Sequence, residues 1–165
     1  MPSAPAESYV DKARRAIRGP ADVVLLVRMT AWCVTFRVLK HVLPIESLVA
    51  LARFGITVPD VRPQARMKDR EARVVTLCRW VARFTRVSNR GPCLERSLIV
   101  HRYLAALGAH PTLVIGVATG ESATNPLRGH AWVVVDGEAV DETPQSLAGF
   151  HAVVEFEADG HRVSA

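Results

Sequence analysis

The chain has 165 residues, of which 49% are hydrophobic and 22% charged, and this ordinary balance excludes an intrinsically disordered protein and allows one domain with its own core. The formal net charge of +5 comes from residues 60–90, where nine basic residues stand against three acidic ones. These arginines are not interleaved with the series of aromatic side chains that a single-strand nucleic-acid binder uses. We therefore interpret most of them as a solvated helix face and expect no nucleic-acid partner.

The cysteines Cys33, Cys78 and Cys93 are odd in number and far apart, which excludes a disulfide framework. The sequence has no CxxC pair and no Cys or His pair at helical ligand spacing, so we expect neither a metal nor another cofactor. Free thiols are typical of a reducing compartment. Residues 1–18 lack the apolar run of a signal peptide, and these features together predict a cytoplasmic protein.

The most apolar segment, residues 23–39, raises the question of a membrane span. Arg28 and Arg37 interrupt it, and an arginine at mid-span costs roughly 2.5–3.5 kcal/mol on insertion scales. We therefore interpret the segment as a well-buried helix and do not favour peripheral membrane contact.

Helical periodicity of apolar residues runs through the first two thirds of the chain. Gly19-Pro20, Gly55 and Gly108 are typical helix stops, and Pro92 suits a first helical position. The pattern predicts helices at residues 7–18, 21–42, 44–54, 67–87 and from 92 to about 107, with a surface connection at 56–65.

After Gly108 the periodicity becomes that of strands. The sequence predicts strands at residues 112–117, 129–135, 138–141, 151–157 and 161–163, with a loop at 118–128. Asp136-Gly137 indicates a two-residue hairpin turn. Helices first and strands last predict an α+β fold, in which N-terminal helices pack on a C-terminal antiparallel sheet.

Cys93 falls in the first turn of the helix that follows Gly91-Pro92. A thiol at this position lies among unpaired backbone N–H groups at the positive end of the helix dipole, and both favour the nucleophilic thiolate. The alternative is a small apolar cysteine buried in the core. Cys33 and Cys78 lie in apolar helical stripes, so we interpret both as core residues.

The strand after Gly129 offers partners for a cysteine nucleophile. His130 shares one face of this strand with Trp132, which we interpret as a core aromatic beside the site. If Asp136-Gly137 is a two-residue turn, Trp132 pairs with Asp141, whose side chain then lies diagonal to His130 on the same face. A three-residue loop would reverse this parity and favour Glu142. We predict the catalytic residues Cys93, His130 and Asp141, with acyl transfer through a thioester.

These residues carry a resemblance to a known family. The ordered series Cys93-Leu94-Glu95-Arg96-Ser97-Leu98, Leu113-Val114-Ile115-Gly116-Val117, His130-Ala131-Trp132-Val133 and Asp136-Gly137 resembles the transglutaminase-like cysteine peptidases of lasso-peptide biosynthesis. The resemblance covers residues 89–150 closely and the helical first half more loosely. It implies a papain- or transglutaminase-like core at residues 67–165 and a helical region at residues 1–66, within a single domain of residues 1–165.

The resemblance also implies a function and partners. Members of this family remove the leader peptide of a ribosomally made precursor, and an ATP-dependent macrolactam cyclase then closes the core peptide. The family's cysteine and histidine match Cys93 and His130, and its acidic residue matches the Asp141-Glu142 pair. A separate leader-recognition protein is implied as a partner, because the first sixty residues show no strand-rich recognition element.

Two other functions remain open from the sequence. An acyl or amide transferase would use the same Cys-His-Asp set with an amine as the acceptor. A non-catalytic scaffold for the biosynthetic proteins would share the fold but would not need Cys93.

Overall fold

The computed structural model describes residues 17, 19–56, 67–85, 93–122 and 125–164. The helices are α1 (Pro20–Leu39), α2 (Ile45–Arg53), α3 (Met67–Phe84), α4 (Cys93–Ala106) and the short α5 (Pro144–Leu147). The first four agree with the predicted helices. Apart from Ile17 and Ile56, the predicted helix at 7–18 and the predicted connection at 56–65 lie outside the described residues.

The strands form one antiparallel sheet. They are β1 (Thr112–Ser122), β2 (Asn125–Val135), β3 (Glu138–Val140), β4 (His151–Phe156) and β5 (Arg162–Ser164), in the spatial order β3-β2-β1-β4-β5. The predicted α+β layout, with N-terminal helices and a C-terminal antiparallel sheet, is confirmed.

The predicted loop at residues 118–128 is wrong, because β1 and β2 continue through most of it as a long hairpin. Ala118 pairs with Arg128, and Ser122 pairs with Asn125 at the tip. Ladder hydrogen bonds join backbone groups and do not require apolar side chains. Leu127 is 61% exposed on this extension, so its apolar side chain is not a sign of burial there.

Helix α1 is buried on one face only, so the prediction of a well-buried helix is half wrong. Met29, Cys33 and Phe36 are completely buried at helical spacing. The opposite face carries exposed valines, among them Val27 and Val38. A helix that is apolar on all sides does not reveal from sequence which side meets the core.

Helix α4 lies at the centre of the molecule, between the other helices and the sheet. Its residues from Ser97 to Ala105 are buried, and Leu98, Ile99 and Leu104 are 0–1% exposed. Burying side chains of this size stabilises the fold by about 1.5–3 kcal/mol each. The helix that begins with Cys93 is therefore held firmly in the core.

Polar contacts fix the orientation of α4 as well. Glu95 is 2% exposed and pairs with Lys40 at the end of α1, with 2.8 Å between Nζ and Oε1. Arg102 donates to the carbonyls of Ala52 and Phe54 at the end of α2, at 2.6 and 3.0 Å. Both ends of α4 are thus tied to neighbouring helices.

Within the described part of the chain, no helix combines the length and the apolarity that crossing a membrane requires.

Candidate active site

Helix α4 presents Cys93 to strand β2. Four residues further along the helix, the buried hydroxyl of Ser97 donates to the carbonyl of Ala131 on β2 at 2.8 Å. The backbone N–H of Ala131 donates to the Cys93 sulfur. Ala131 therefore contacts α4 at two points. These contacts hold the start of the helix beside His130, the residue that precedes Ala131 on β2.

The short strand β3 makes room for this contact. It pairs with β2 only from Val133 to Val135. The edge of β2 at Ala131 therefore lies beyond the end of β3, and the start of α4 occupies it. An unpaired strand edge offers backbone donors and acceptors, and at this edge the donor faces a thiol.

The structure brings Cys93 and His130 together, as predicted. The thiol and the imidazole share a hydrogen bond. Nε2 of the same ring lies 3.1 Å from Oε1 of Glu142, which leaves Nδ1 as the ring nitrogen for the sulfur. The imidazole thus stands between a thiol and a carboxylate.

The predicted position of Asp141 against His130 is wrong, because Glu142 occupies it. The carboxylate of Asp141 instead pairs with Arg79 of α3 and lies 3.8 Å from Arg96 of α4. Both acidic side chains are nearly buried, at 6% and 8% exposure.

Asp141 lies away from His130 because of one backbone angle. The two-residue turn is present, because Asp136 and Gly137 both have positive φ and Val135 pairs with Glu138. The ladder stops at Val140, however, and Asp141 has a φ of +63°. This left-handed residue breaks the strand alternation on which the choice of Asp141 rested, and the chain turns Glu142 towards the imidazole.

Three groups hold the carboxylate of Glu142. His130 and Arg96 both contact Oε1, and the hydroxyl of Ser146 donates to Oε2 at 2.7 Å. Ser146 is itself fixed in a reciprocal cap with Thr143 at the start of α5. The acid is therefore oriented from both of its oxygens.

The ionisation of the thiol and the imidazole is shifted towards an ion pair. Burial raises the pKa of Cys93, but the hydrogen bonds from His130 and from the backbone at Ala131 and Leu94 outweigh it, so the pKa lies below its ordinary value of 9.0. The hydrogen bond with Cys93 raises the pKa of His130 above 6.5 against the effect of burial, and Glu142 adds to the rise. Both shifts favour thiolate and imidazolium.

The other two cysteines lack this environment. Cys33 and Cys78 are 1% and 0% exposed, and burial raises the pKa of both thiols. A buried thiol with a raised pKa is unreactive. The interpretation of both as core residues is confirmed.

Aromatic rings flank the imidazole. Trp132 stacks on His130 with 6.0 Å between ring centroids, and Phe150 lies at 5.2 Å. The indole passes over Gly116 of β1 so closely that a Cβ at that residue would lie 2.7 Å from it. Gly116 therefore allows the ring to stand beside the site.

Comparison with known proteins decides the family. A family model described as the transglutaminase-like superfamily matches residues 30–155, from within α1 to within β4. The chain belongs to the transglutaminase-like superfamily. No curated protein and no solved structure matches it.

Membership in the transglutaminase-like superfamily gives the chain a fold of the cysteine peptidase and transferase type. Within the described residues, no cluster of three or more His, Cys, Asp or Glu side chains could hold a metal ion. The described residues bring a thiol, an imidazole and a carboxylate together at this site.

Sequence reasoning missed several residues of this site. Arg96 lies inside the motif that carried the resemblance, three residues after Cys93, which places the two on one face of α4. That spacing could have indicated its role. Arg79, Ser146 and Phe150 gave no such signal, because their contacts depend on how distant segments pack.

Proposed function

We propose that this protein is a cysteine peptidase that removes the leader peptide from a ribosomally made lasso-peptide precursor. The observation that carries the proposal is the imidazole of His130, which contacts the thiol of Cys93 on one side and Glu142 on the other. The ordered motifs around Cys93 and His130 support the choice of substrate.

The first half of the proposed reaction is acylation. The Cys93 thiolate attacks the carbonyl carbon of the scissile peptide bond, and the imidazolium of His130 gives its proton to the departing amine. The C–N bond breaks and an S–C bond forms, so the leader is held as a thioester and the core peptide leaves with a free N-terminus.

The second half is hydrolysis of the thioester. Neutral His130 takes a proton from water as the oxygen attacks the thioester, and the S–C bond breaks to return the thiolate and release the leader as a carboxylic acid, which then loses its proton to solvent. Through both halves Glu142 accepts a hydrogen bond from Nε2, which orients the ring and stabilises its charged form.

The proposal includes partners. The precursor peptide is the substrate, and a separate leader-recognition protein holds the leader. An ATP-dependent macrolactam cyclase then uses the amine that cleavage releases. The exposed fraction of the His130 side chain, 20%, leaves the imidazole open to a bound peptide.

The test is mass spectrometry of the precursor peptide encoded beside this protein, after incubation with the protein in the presence and in the absence of the recognition protein. We expect a single cut that yields intact leader and core fragments, and no cut with Cys93→Ala. A precursor that stays whole under both conditions would contradict the proposal.

The same experiment separates the other two functions. If an added amine appears in the leader fragment in preference to water, the protein is an acyl transferase with the same residues. If Cys93→Ala leaves processing unchanged while loss of the whole protein stops it, the protein is a scaffold.

A further inference from the structure

Arg96 joins the nucleophile's helix to both acidic residues. It lies one turn after Cys93 on α4, and its guanidinium contacts Oε1 of Glu142 while Nη1 lies 3.8 Å from Oδ2 of Asp141. Its side chain is 22% exposed. None of the three roles proposed above for the thiol, the imidazole and the acid accounts for this arginine.

Asp141 is held in turn by Arg79 of α3. Charged groups therefore follow one another with alternating sign, in the order Arg79, Asp141, Arg96, Glu142, His130 and Cys93. Each contact joins a cation to an anion when the thiolate and imidazolium are formed. We call these six residues the charge chain.

We propose that Arg96 is a positioning residue that fixes the carboxylate of Glu142 against His130, and that Asp141 acts on the site only through Arg96. The charge chain then gives adjacent acids separate roles: Glu142 contacts the imidazole, and Asp141 holds the arginine that orients Glu142.

Burial explains why these contacts differ from ordinary surface ion pairs. The side chains of Asp141 and Glu142 are 6% and 8% exposed and that of Arg96 is 22% exposed, whereas Arg79 at the outer end of the chain is 65% exposed. Exposed pairs contribute little because water and salt screen them, so the contacts of Arg96 matter more than that of Arg79. Two neighbouring carboxylates in such a place repel each other unless a cation lies between them. Arg96 supplies this cation. Burial alone would raise the pKa of Glu142, but the hydrogen bond from Ser146 and then the charge of Arg96 lower it below its ordinary value.

The backbone supports the same assignment. Asp141 adopts a φ of +63°, a conformation that costs a non-glycine residue free energy and persists where surrounding contacts hold it. The ion pairs with Arg79 and Arg96 are such contacts. The left-handed backbone at Asp141 places its side chain against the two arginines and that of Glu142 against His130.

Two readouts test the proposal. One is the kcat and KM of precursor cleavage, which rests on the proposed function. The other is the rate at which iodoacetamide alkylates Cys93, which needs no substrate. The variants are Arg96→Gln, Arg96→Lys, Asp141→Asn and Glu142→Gln, with the doubles that combine Arg96→Gln with each acid variant.

We expect Arg96→Gln to lower kcat about ten- to a hundredfold with KM changed less than about threefold, because a misplaced acid affects the reacting groups more than substrate binding. Alkylation of Cys93 at neutral pH slows as well. Arg96→Lys recovers part of both rates, since an ammonium keeps the charge but cannot contact two carboxylates in the same fork geometry.

The double variants decide how Arg96 acts. In the Glu142→Gln background Arg96→Gln should cost little more, and in the Arg96→Gln background Asp141→Asn should cost little more, because each residue acts through the next. If the fold losses in rate of the two single variants multiply in the double variant, as for independent residues, the proposal is overturned.

The matched control is Arg162→Gln, which breaks an ion pair with Glu46 between side chains that are 59% and 50% exposed. It removes the same charge and should leave both rates unchanged. If Arg96→Gln behaves like this control, the proposal is wrong. If the alkylation rates of the wild type and the variants follow the expected pattern but the wild type cleaves no precursor, the charge chain stands and the peptidase proposal fails.

Discussion

Among single residues, the ionisation of Cys93 and His130 sets what the site can do. The pKa of the thiol lies below 9.0 and that of the imidazole above 6.5, and each shift has the other residue as a main cause. The two groups therefore titrate as a pair. The two shifts move the pKa values towards each other, and each favours the charged form of its own group.

The first residue-scale prediction concerns pH. Cleavage should rise as the pH increases through the lowered pKa of Cys93, because the thiolate forms. It should fall as the pH increases through the raised pKa of His130, because the leaving amine loses its proton donor. A bell-shaped profile of kcat/KM measures both limbs, and a falling limb that lies below pH 6.5 would contradict the direction found for His130.

The second residue-scale prediction compares the adjacent acids. Glu142→Gln should lower kcat more than Asp141→Asn, by about tenfold or more, because only Glu142 contacts the imidazole. It should also lower the pKa of His130, which NMR titration of the ring protons measures. If Asp141→Asn has the larger effect on both quantities, the assignment of the acid is wrong.

The element that decides the geometry is β2, which carries His130 and Trp132 and receives α4 at its open edge. Its neighbour β1 contributes Gly116, where an added Cβ would lie 2.7 Å from the Trp132 ring and 2.8 Å from the carbonyl oxygen of His151. The stacking of the indole on the imidazole therefore depends on the absence of a side chain at Gly116.

The element-scale prediction is that Gly116→Ala destabilises the fold by about 1–3 kcal/mol and lowers cleavage, because the indole or β4 must move. Urea unfolding and cleavage kinetics measure the two effects. The matched control is Gly129→Ala on β2, where an added Cβ meets no atom within 4 Å. Equal results for both variants would show that the close approach at Gly116 has no consequence.

Local patterns in the sequence predicted much of these elements. The ends of α2 and α4 follow from Gly55 and Gly108, which both have positive φ, and Asp136-Gly137 gave the correct turn and register. Local patterns failed where long-range contacts decide the conformation. The contact of Arg79 with Asp141 joins residues 62 positions apart, and no local rule predicts the left-handed backbone it accompanies.

For the whole molecule, stability should depend on a buried histidine that is not part of the charge chain. His101 on α4 is completely buried, and its Nε2 lies 3.1 Å from the carbonyl oxygen of Glu157. Burial lowers its pKa from 6.5 to about 4. Protonation therefore favours the unfolded chain, in which the imidazole is solvated.

The whole-molecule prediction follows with its sign. Between pH 6.5 and 4 the unfolded chain binds the extra proton and the folded one does not, so the stability present above pH 6.5 falls as the pH decreases. The loss is on the order of 3 kcal/mol. Urea unfolding across this range measures it, and His101→Gln should flatten the dependence by a similar amount; an equally steep loss in that variant would assign it to other groups.

The measurement that tests the central claim most directly is the intact mass of the protein after rapid acid quenching during reaction with the precursor peptide. Attack by the Cys93 thiolate predicts a mass increase equal to that of the free leader less one water. This adduct should be absent in Cys93→Ala and should map to the Cys93 peptide after digestion. Hydrolysis that proceeds at the same rate in Cys93→Ala, or an adduct on another residue, would contradict the account.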